Sequence, residues 1–364
     1  MKKSGLIKLG FALIIISLLL VFIILAKNIL IPFVVAMFFA YLLYPIVWRI
    51  ERFGVNRAIS ILTVLLVTIV ILSGIGLLIS IQASNMDIDL NQIKEQFDDK
   101  SASIQNLIQN KLGINGPTVD HYLNQAMDNL ITSWQSEIGV VFAATTTTIF
   151  QIGILPVFIF FLLFYRTKTA RFIFRITGKK NRPTTLHILR EVSTVTTKYL
   201  GGLFLVVSIL AILNSLGLFI IGVKHALIFG IVAALLNLIP YIGTFLGGFI
   251  PFMYVFLTVP EPLHPMLKVA ALFMVIQFIE NNLLTPNIVG NSIKLNPLAI
   301  ILSLLFANMV WGIAGMLIIV PVLATLKVIM RNVDGLKPYA FLISDRGVEK
   351  HRIKLFKRKK ESKK

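Results

Sequence analysis

Apolar blocks about as long as a bilayer is thick recur along this chain, and that patterning constrains its fold more than any motif does. They occupy residues 9–25, 29–48, 58–82, 139–165, 199–222, 225–258, 266–284 and 297–329. A hydrocarbon core of about 30 Å takes roughly 20 helical residues to cross. In lipid the backbone must satisfy its own hydrogen bonds, which such blocks do as α-helices. The expectation is an all-α, polytopic transmembrane helical protein with about eight spans. Composition agrees, because only 14% of residues are charged, against about 25% in soluble domains.

Two blocks are too long for one simple crossing. The sixth is interrupted by Asn237-Leu-Ile-Pro240-Tyr241-Ile-Gly243 and by Gly247-Gly248, the eighth by Trp311-Gly312-Ile-Ala-Gly315. Proline removes a backbone donor and clashes one turn back, and glycine admits sharp turns, so each interruption predicts a helical hairpin. If the hairpins are re-entrant the count stays at eight, if fully spanning it becomes ten, and either count is even.

An even count puts both termini on one side. The net charge of +19 says which, because its Lys and Arg flank the apolar blocks. They crowd at Lys2, Lys3 and Lys8, at Arg49–Arg57, at Arg166–Lys198 and in the tail. By the positive-inside rule these segments and both termini are cytoplasmic, in a bacterial inner membrane. Residues 85–138, with eight acidic residues against three lysines, fall outside. The organisation expected is three spans in 1–84, an extracytoplasmic helical segment in 85–138 and a fourth span in 139–165. A basic amphipathic cytoplasmic segment (166–198), a core of spans (199–330) and a basic tail (331–364) follow. MKKSG and the run behind it lack a small-x-small cleavage site, so the first block reads as a retained span.

The charge does not read as nucleic-acid binding, because no soluble basic domain carries it; the basic segments meet membrane lipid instead. With no cysteine and no histidine pair of HExxH type, no metal site or thiol chemistry is expected. No phosphate-binding GxxxxGK[ST] loop and no hydrolase motif occurs, so neither a cofactor nor an enzyme is expected.

Polar residues inside the blocks are costly and mark candidate paths. Gln277, Glu280 and Asn281 share one helix face by spacing, with Asn282 beside them. Asn237 precedes the break at Pro240, where freed backbone groups need a cavity or partner. Asn214 sits mid-block and could equally bond a neighbouring helix. Glu280 reads either as a path residue or as an interfacial group pairing with Lys294. Pro286, Gly290 and Pro297 bound an irregular connector ending at a helix start.

The stretches EVSTVTTKYLGG, GVKHALIFGIVAALLNLIPYIGTFLGGFIP and QFIENNLLTPNIVGNSIKLNPLAIILSLLFANMVWGIAGMLIIVPVLATLKVI occur in this order. They resemble the autoinducer-2 exporter-like family of bacterial permeases over roughly residues 190–330. Its Ile-Pro-Tyr-x-Gly element corresponds to Ile239, Pro240, Tyr241 and Gly243. Its Glu-Asn-Asn element corresponds to Glu280, Asn281 and Asn282, followed by Pro286, Val289 and Gly290. The family often has a histidine where this chain has Asn296, so a histidine-dependent step is not implied there. The resemblance implies export of a small polar solute such as the quorum-sensing signal autoinducer-2. Sodium or lithium/proton antiport through Glu280 is the alternative, with a monovalent cation as cargo. A non-transporting scaffold is a further one. A homo-oligomer is compatible with the resemblance and with the glycines at 201, 202, 247, 248, 312 and 315.

Overall fold

A computed structural model of the chain describes residues 3–84, 125, 146–239, 242–290 and 294–345. The expected extracytoplasmic segment apart from residue 125, the first residues (139–145) of the expected fourth span, the tail beyond Asp345, and Pro240 and Tyr241 lie outside these residues. Within them the structure is helical, with one isolated bridge between Leu295 and Ser344. The helices are α1 (Lys3–Leu25), α2 (Lys27–Arg52), α3 (Arg57–Ser84), α4 (Thr146–Phe164), α5 (Arg166–Thr177) and α6 (Arg182–Ile221). Then come α7 (Ala226–Leu236), α8 (Ile242–Thr258), α9 (Leu263–Ile279), a wide-turned segment (Glu280–Val289), α10 (Pro297–Asn332) and α11 (Lys337–Leu342).

Five are long and apolar enough to cross a membrane, with α9 and the wide-turned segment counted as one stretch (Leu263–Val289), and a sixth if α4 and α5 are one broken span. The apolar stretches Leu13–Leu25, Ala226–Leu236 and Gly243–Thr258 are shorter. The long helices turn many apolar side chains outward: on α3, Leu62, Leu66, Val70 and Leu77 are all exposed. Such a surface is stable against lipid and not against water.

The described residues fall into two compact units. In the unit comprising Pro32–Phe164 and Gly201–Gly290, α2, α3 and α4 share one core. Ala36, Ala40, Leu43 and Val47 of α2 meet Ile61, Val64 and Leu65 of α3 and Ile159 and Leu163 of α4. Asn56 caps α3, its Oδ1 accepting from the Ala58 amide at 2.9 Å. The same unit holds the expected hairpin. Here α7 and α8 pack arm against arm, joined through residues 237–241, and α9 lies along α8. Val206 and Leu210 of α6, Ala234 of α7 and Ile276 of α9 form a shared core, with Leu284 and Ile288 of the wide segment against it.

The other unit comprises Met1–Ile31, Tyr165–Leu200 and Asn291–Lys364. Its α10 is the second hairpin. A straight helix of 36 residues would hold its ends about 54 Å apart. Here Lys327 Nζ donates to the Lys294 carbonyl, and Leu295 pairs with Ser344. The reversal occurs at Gly312, with φ 61° and ψ −143°, a conformation that a side chain would resist. The start of α10 was expected at Pro297 and is found there, capped by Asn296. At the hairpin tip, Trp311 Nε1 donates to the Ile23 carbonyl at 3.0 Å. That carbonyl belongs to the last turn of α1, where intrahelical donors run out.

One helix departs from expectation. A span was expected over 199–222, yet α6 runs unbroken for 40 residues from Arg182. Gly201-Gly202 does not interrupt it, and Pro183 sits in its first turn, where a missing N–H costs nothing. From Arg182 onward the basic stretch and the apolar block are therefore one continuous helix, about 60 Å along its axis and twice a hydrocarbon thickness.

Candidate functional site: a polar network at a hairpin tip

At 11 residues, α7 extends only about 16 Å. Asn237 terminates it, with its own N–H bonded back to the Ala233 carbonyl. The chain turns at residues 237–239 and α8 begins at Ile242. The arms are close enough that a Cβ on Gly243 would collide with the Leu236 carbonyl oxygen, while the Gly243 N–H bonds to Ile239 O at 3.0 Å. A residue without a side chain is needed here.

This turn presents Asn237 to the end of α9. Asn237 Nδ2 donates to Glu280 Oε1 at 2.7 Å, and Thr244 Oγ1, on α8, donates to Asn237 Oδ1 at 2.7 Å. From the other side, Gln277 Nε2 donates to Glu280 Oε2 at 3.2 Å and to Asn281 Oδ1 at 3.2 Å. The result is a continuous network: Thr244, Asn237, Glu280, Gln277, Asn281. Three elements supply it, so it depends on the hairpin holding its register against α9. Glu280 is half-buried and Asn281 exposed, so the network runs from the packed interior to an open edge.

The chemistry of Glu280 follows from its partners. Each carboxylate oxygen accepts one amide N–H, and two such oxygens offer about four acceptor positions. Capacity is left for a hydroxyl, a water or a cation. Among the described residues no cationic side chain pairs with it; its partners are neutral amides.

Directly after Glu280 the helix widens. From Glu280 to Val289 the backbone takes wide turns, a conformation rare in general and frequent at functional sites. Pro286 lies inside this stretch, and Gly290, at φ 63°, closes it with its N–H on the Thr285 carbonyl at 3.0 Å. The segment rests on α6 at Gly202, beside Ile288 and Val289.

Not every expected residue joins. Asn282 bonds back to the Phe278 carbonyl at 2.8 Å, one turn earlier on its own helix. Asn214, on α6, is 4% exposed; among the described residues it makes no hydrogen bond to the network, and its Oδ1 is buried without a partner. Thr244 belongs to the network and escaped the sequence reading. Its signal is its place seven residues after Asn237, across a turn whose register only the fold supplies. No group of metal-ligating side chains occurs among the described residues.

The sequence profile of the AI-2E family transporters matches residues 13–335. The chain belongs to this family. It is therefore a multi-pass membrane protein of a transporter family, as the apolar helices require. Among its relatives, YrrI of Bacillus subtilis (strain 168) is 28% identical over 313 residues, covering 84% of this chain and 86% of the relative. YueF of the same organism is 27% identical over 321 residues, 86% of each. Both carry names that designate them only provisionally as transport proteins. The Escherichia coli (strain K12) AI-2 transport protein TqsA is 27% identical over 336 residues, covering 88% of this chain and 90% of TqsA. The AI-2E family match extends through α1 to α10, well beyond the stretches that carried the resemblance in the sequence.

Proposed function

We propose that this protein moves a small polar solute of the autoinducer-2 kind outward across a bacterial inner membrane. The transport is secondary or facilitated, and the Thr244–Asn237–Glu280–Gln277–Asn281 network is the polar station on the path. The observation that carries this reading is a network of five polar side chains at the tip of a hairpin whose first arm is only about 16 Å long. An arm of that length, entered from either surface, ends within a hydrocarbon core of about 30 Å. Polar groups at that depth are retained where they face a passage. A polyol suits this set, since amides donate and accept while the carboxylate accepts from hydroxyls. The name of TqsA supports the same class of solute. By the positive-inside rule the termini and the Arg166–Lys198 stretch are cytoplasmic.

A second reading, proton-coupled exchange of sodium or lithium, is favoured by one observation: Glu280 keeps open acceptor positions and, among the described residues, has no cationic partner. Two assays on Glu280→Gln and Asn237→Ala divide the readings. Under the first, export of autoinducer-2 from cells falls about tenfold or more in both variants, as expected for losing a hydrogen bond to a charged group, and everted vesicles show no sodium- or lithium-dependent collapse of a proton gradient. Under the second, wild-type vesicles show that collapse, Glu280→Gln abolishes it, and autoinducer-2 export is unchanged. Full activity of Glu280→Gln in both assays removes the network from the mechanism.

A further inference from the structure

We infer that Arg166–Arg190, the helix α5 and the chain leading through the first turns of α6, is a docking face for an anionic phospholipid surface. This stretch carries eight Lys or Arg residues and no Asp or Glu. None of the 12 residues of α5 is buried, and it exposes large apolar side chains as well as charge. Phe172 and Ile176 are 60% and 68% exposed and, four residues apart, stand on one face of the helix. Arg171 and Arg175 form the adjoining stripe, both exposed, with Lys168 between the two. Beyond the turn at Gly178, Lys179, Lys180 and Arg182 extend the same charge, also exposed.

This arrangement decides between ways of meeting a membrane. Four cations in 12 residues make α5 a poor spanning helix, since each costs several kcal/mol at the centre of a bilayer. An apolar edge bordered by cations is the pattern of a helix lying in the headgroup layer. Charge alone would serve an RNA or an acidic protein equally well. Two observations favour lipid. The exposed Phe172 and Ile176 need an apolar medium that a nucleic-acid backbone does not offer. Furthermore, a single residue, Tyr165, separates α5 from the apolar α4, and the apolar half of α6 begins near Tyr199. The segment is thus joined at one end to the apolar α4 and at the other to the apolar half of α6, a helix long and apolar enough to cross a membrane, and this connection favours a place at the bilayer surface.

The chain has no cysteine, so Ile176→Cys gives the full-length protein a single attachment point for an environment-sensitive fluorophore. The protein is reconstituted into phosphatidylcholine vesicles with and without phosphatidylglycerol. The expected result is blue-shifted emission only with phosphatidylglycerol, quenched by lipids spin-labelled near the headgroup. Raising salt from 0.1 M to 1 M, which shortens the screening length from about 10 Å to about 3 Å, should reverse the shift. Replacing Arg171, Arg175, Lys179 and Lys180 by Glu should abolish it, each charge lost weakening association roughly fivefold. A second label, at Phe172→Cys, repeats the reading should the first variant misfold, with circular dichroism confirming helix content. Identical emission in both lipids overturns the inference. So does a shift that survives charge reversal, or one produced in phosphatidylcholine by an added RNA oligonucleotide or acidic peptide.

Discussion

The bond between Asn237 and Glu280 joins a hairpin tip to the end of α9, and its strength can be isolated by a double-mutant cycle. Asn237→Ala removes the 2.7 Å bond to Glu280 and strands the Thr244 hydroxyl, which donates to the same amide. Glu280→Gln removes the charge and weakens both amide contacts. A hydrogen bond to an ionised group contributes about 1.5–3 kcal/mol in proteins generally. Bonds between membrane helices measured by such cycles average about 0.6 kcal/mol and reach about 1.7. Because Glu280 is half-buried and its partner sits at a short distance, a coupling near the upper end, about 1–2 kcal/mol, is expected. The double variant should therefore be less destabilised than the sum of the single losses by that amount. In thermal melting of purified protein in lipid nanodiscs, this corresponds to about 1–3 °C. Losses that add to within about 0.3 kcal/mol would mean that the two side chains do not interact in the protein, and the network would fail as a unit.

Further outcomes follow from other contacts. Gly243→Ala places a Cβ against the Leu236 carbonyl and should destabilise by about 2–4 kcal/mol; Gly76→Ala on α3, where a Cβ meets nothing, should be neutral or slightly stabilising in the same melting assay. Trp311→Phe leaves the Ile23 carbonyl without its donor and should cost about 1–2 kcal/mol, whereas Trp48→Phe, which leaves no carbonyl unpaired, should cost less. Beyond the end of α10, the hydrogen bond from Lys337 and its positive charge hold the fully exposed Asp334 carboxyl below the ordinary carboxylate range. Any stability from this pair is present above that ordinary value and lost as pH falls through the lowered one. Since both partners are solvent-exposed, Lys337→Gln should leave the melting temperature at pH 7 unchanged.

Much of the architecture was legible in the sequence because lipid imposes length. Block lengths indicated helices, and the two interrupted blocks indicated hairpins at Asn237–Gly243 and at Gly312, where the chain reverses. The spacing of Gln277, Glu280 and Asn281 put them on one face, and Gln277 indeed bonds both of the others. Asn282 lies one residue further round the helix, so its amide turns to its own backbone. Thr244 was missed because pairing it with Asn237 requires the register of a turn, and no helical periodicity crosses a turn. The full length of α6 was missed for a related reason. A change from amphipathic to apolar patterning near Tyr199 resembles an element boundary, yet the backbone has no cause to stop there.

The reversal at Gly312 has a consequence for mapping the sidedness of the protein. Because α10 doubles back, the chain enters the hairpin at Lys294 and leaves the following short helix at Asp345, and these two backbones are hydrogen-bonded at 3.0 Å. An epitope inserted at Lys294 and a reporter fused behind Asp345 must therefore register in the same compartment, whichever compartment that is.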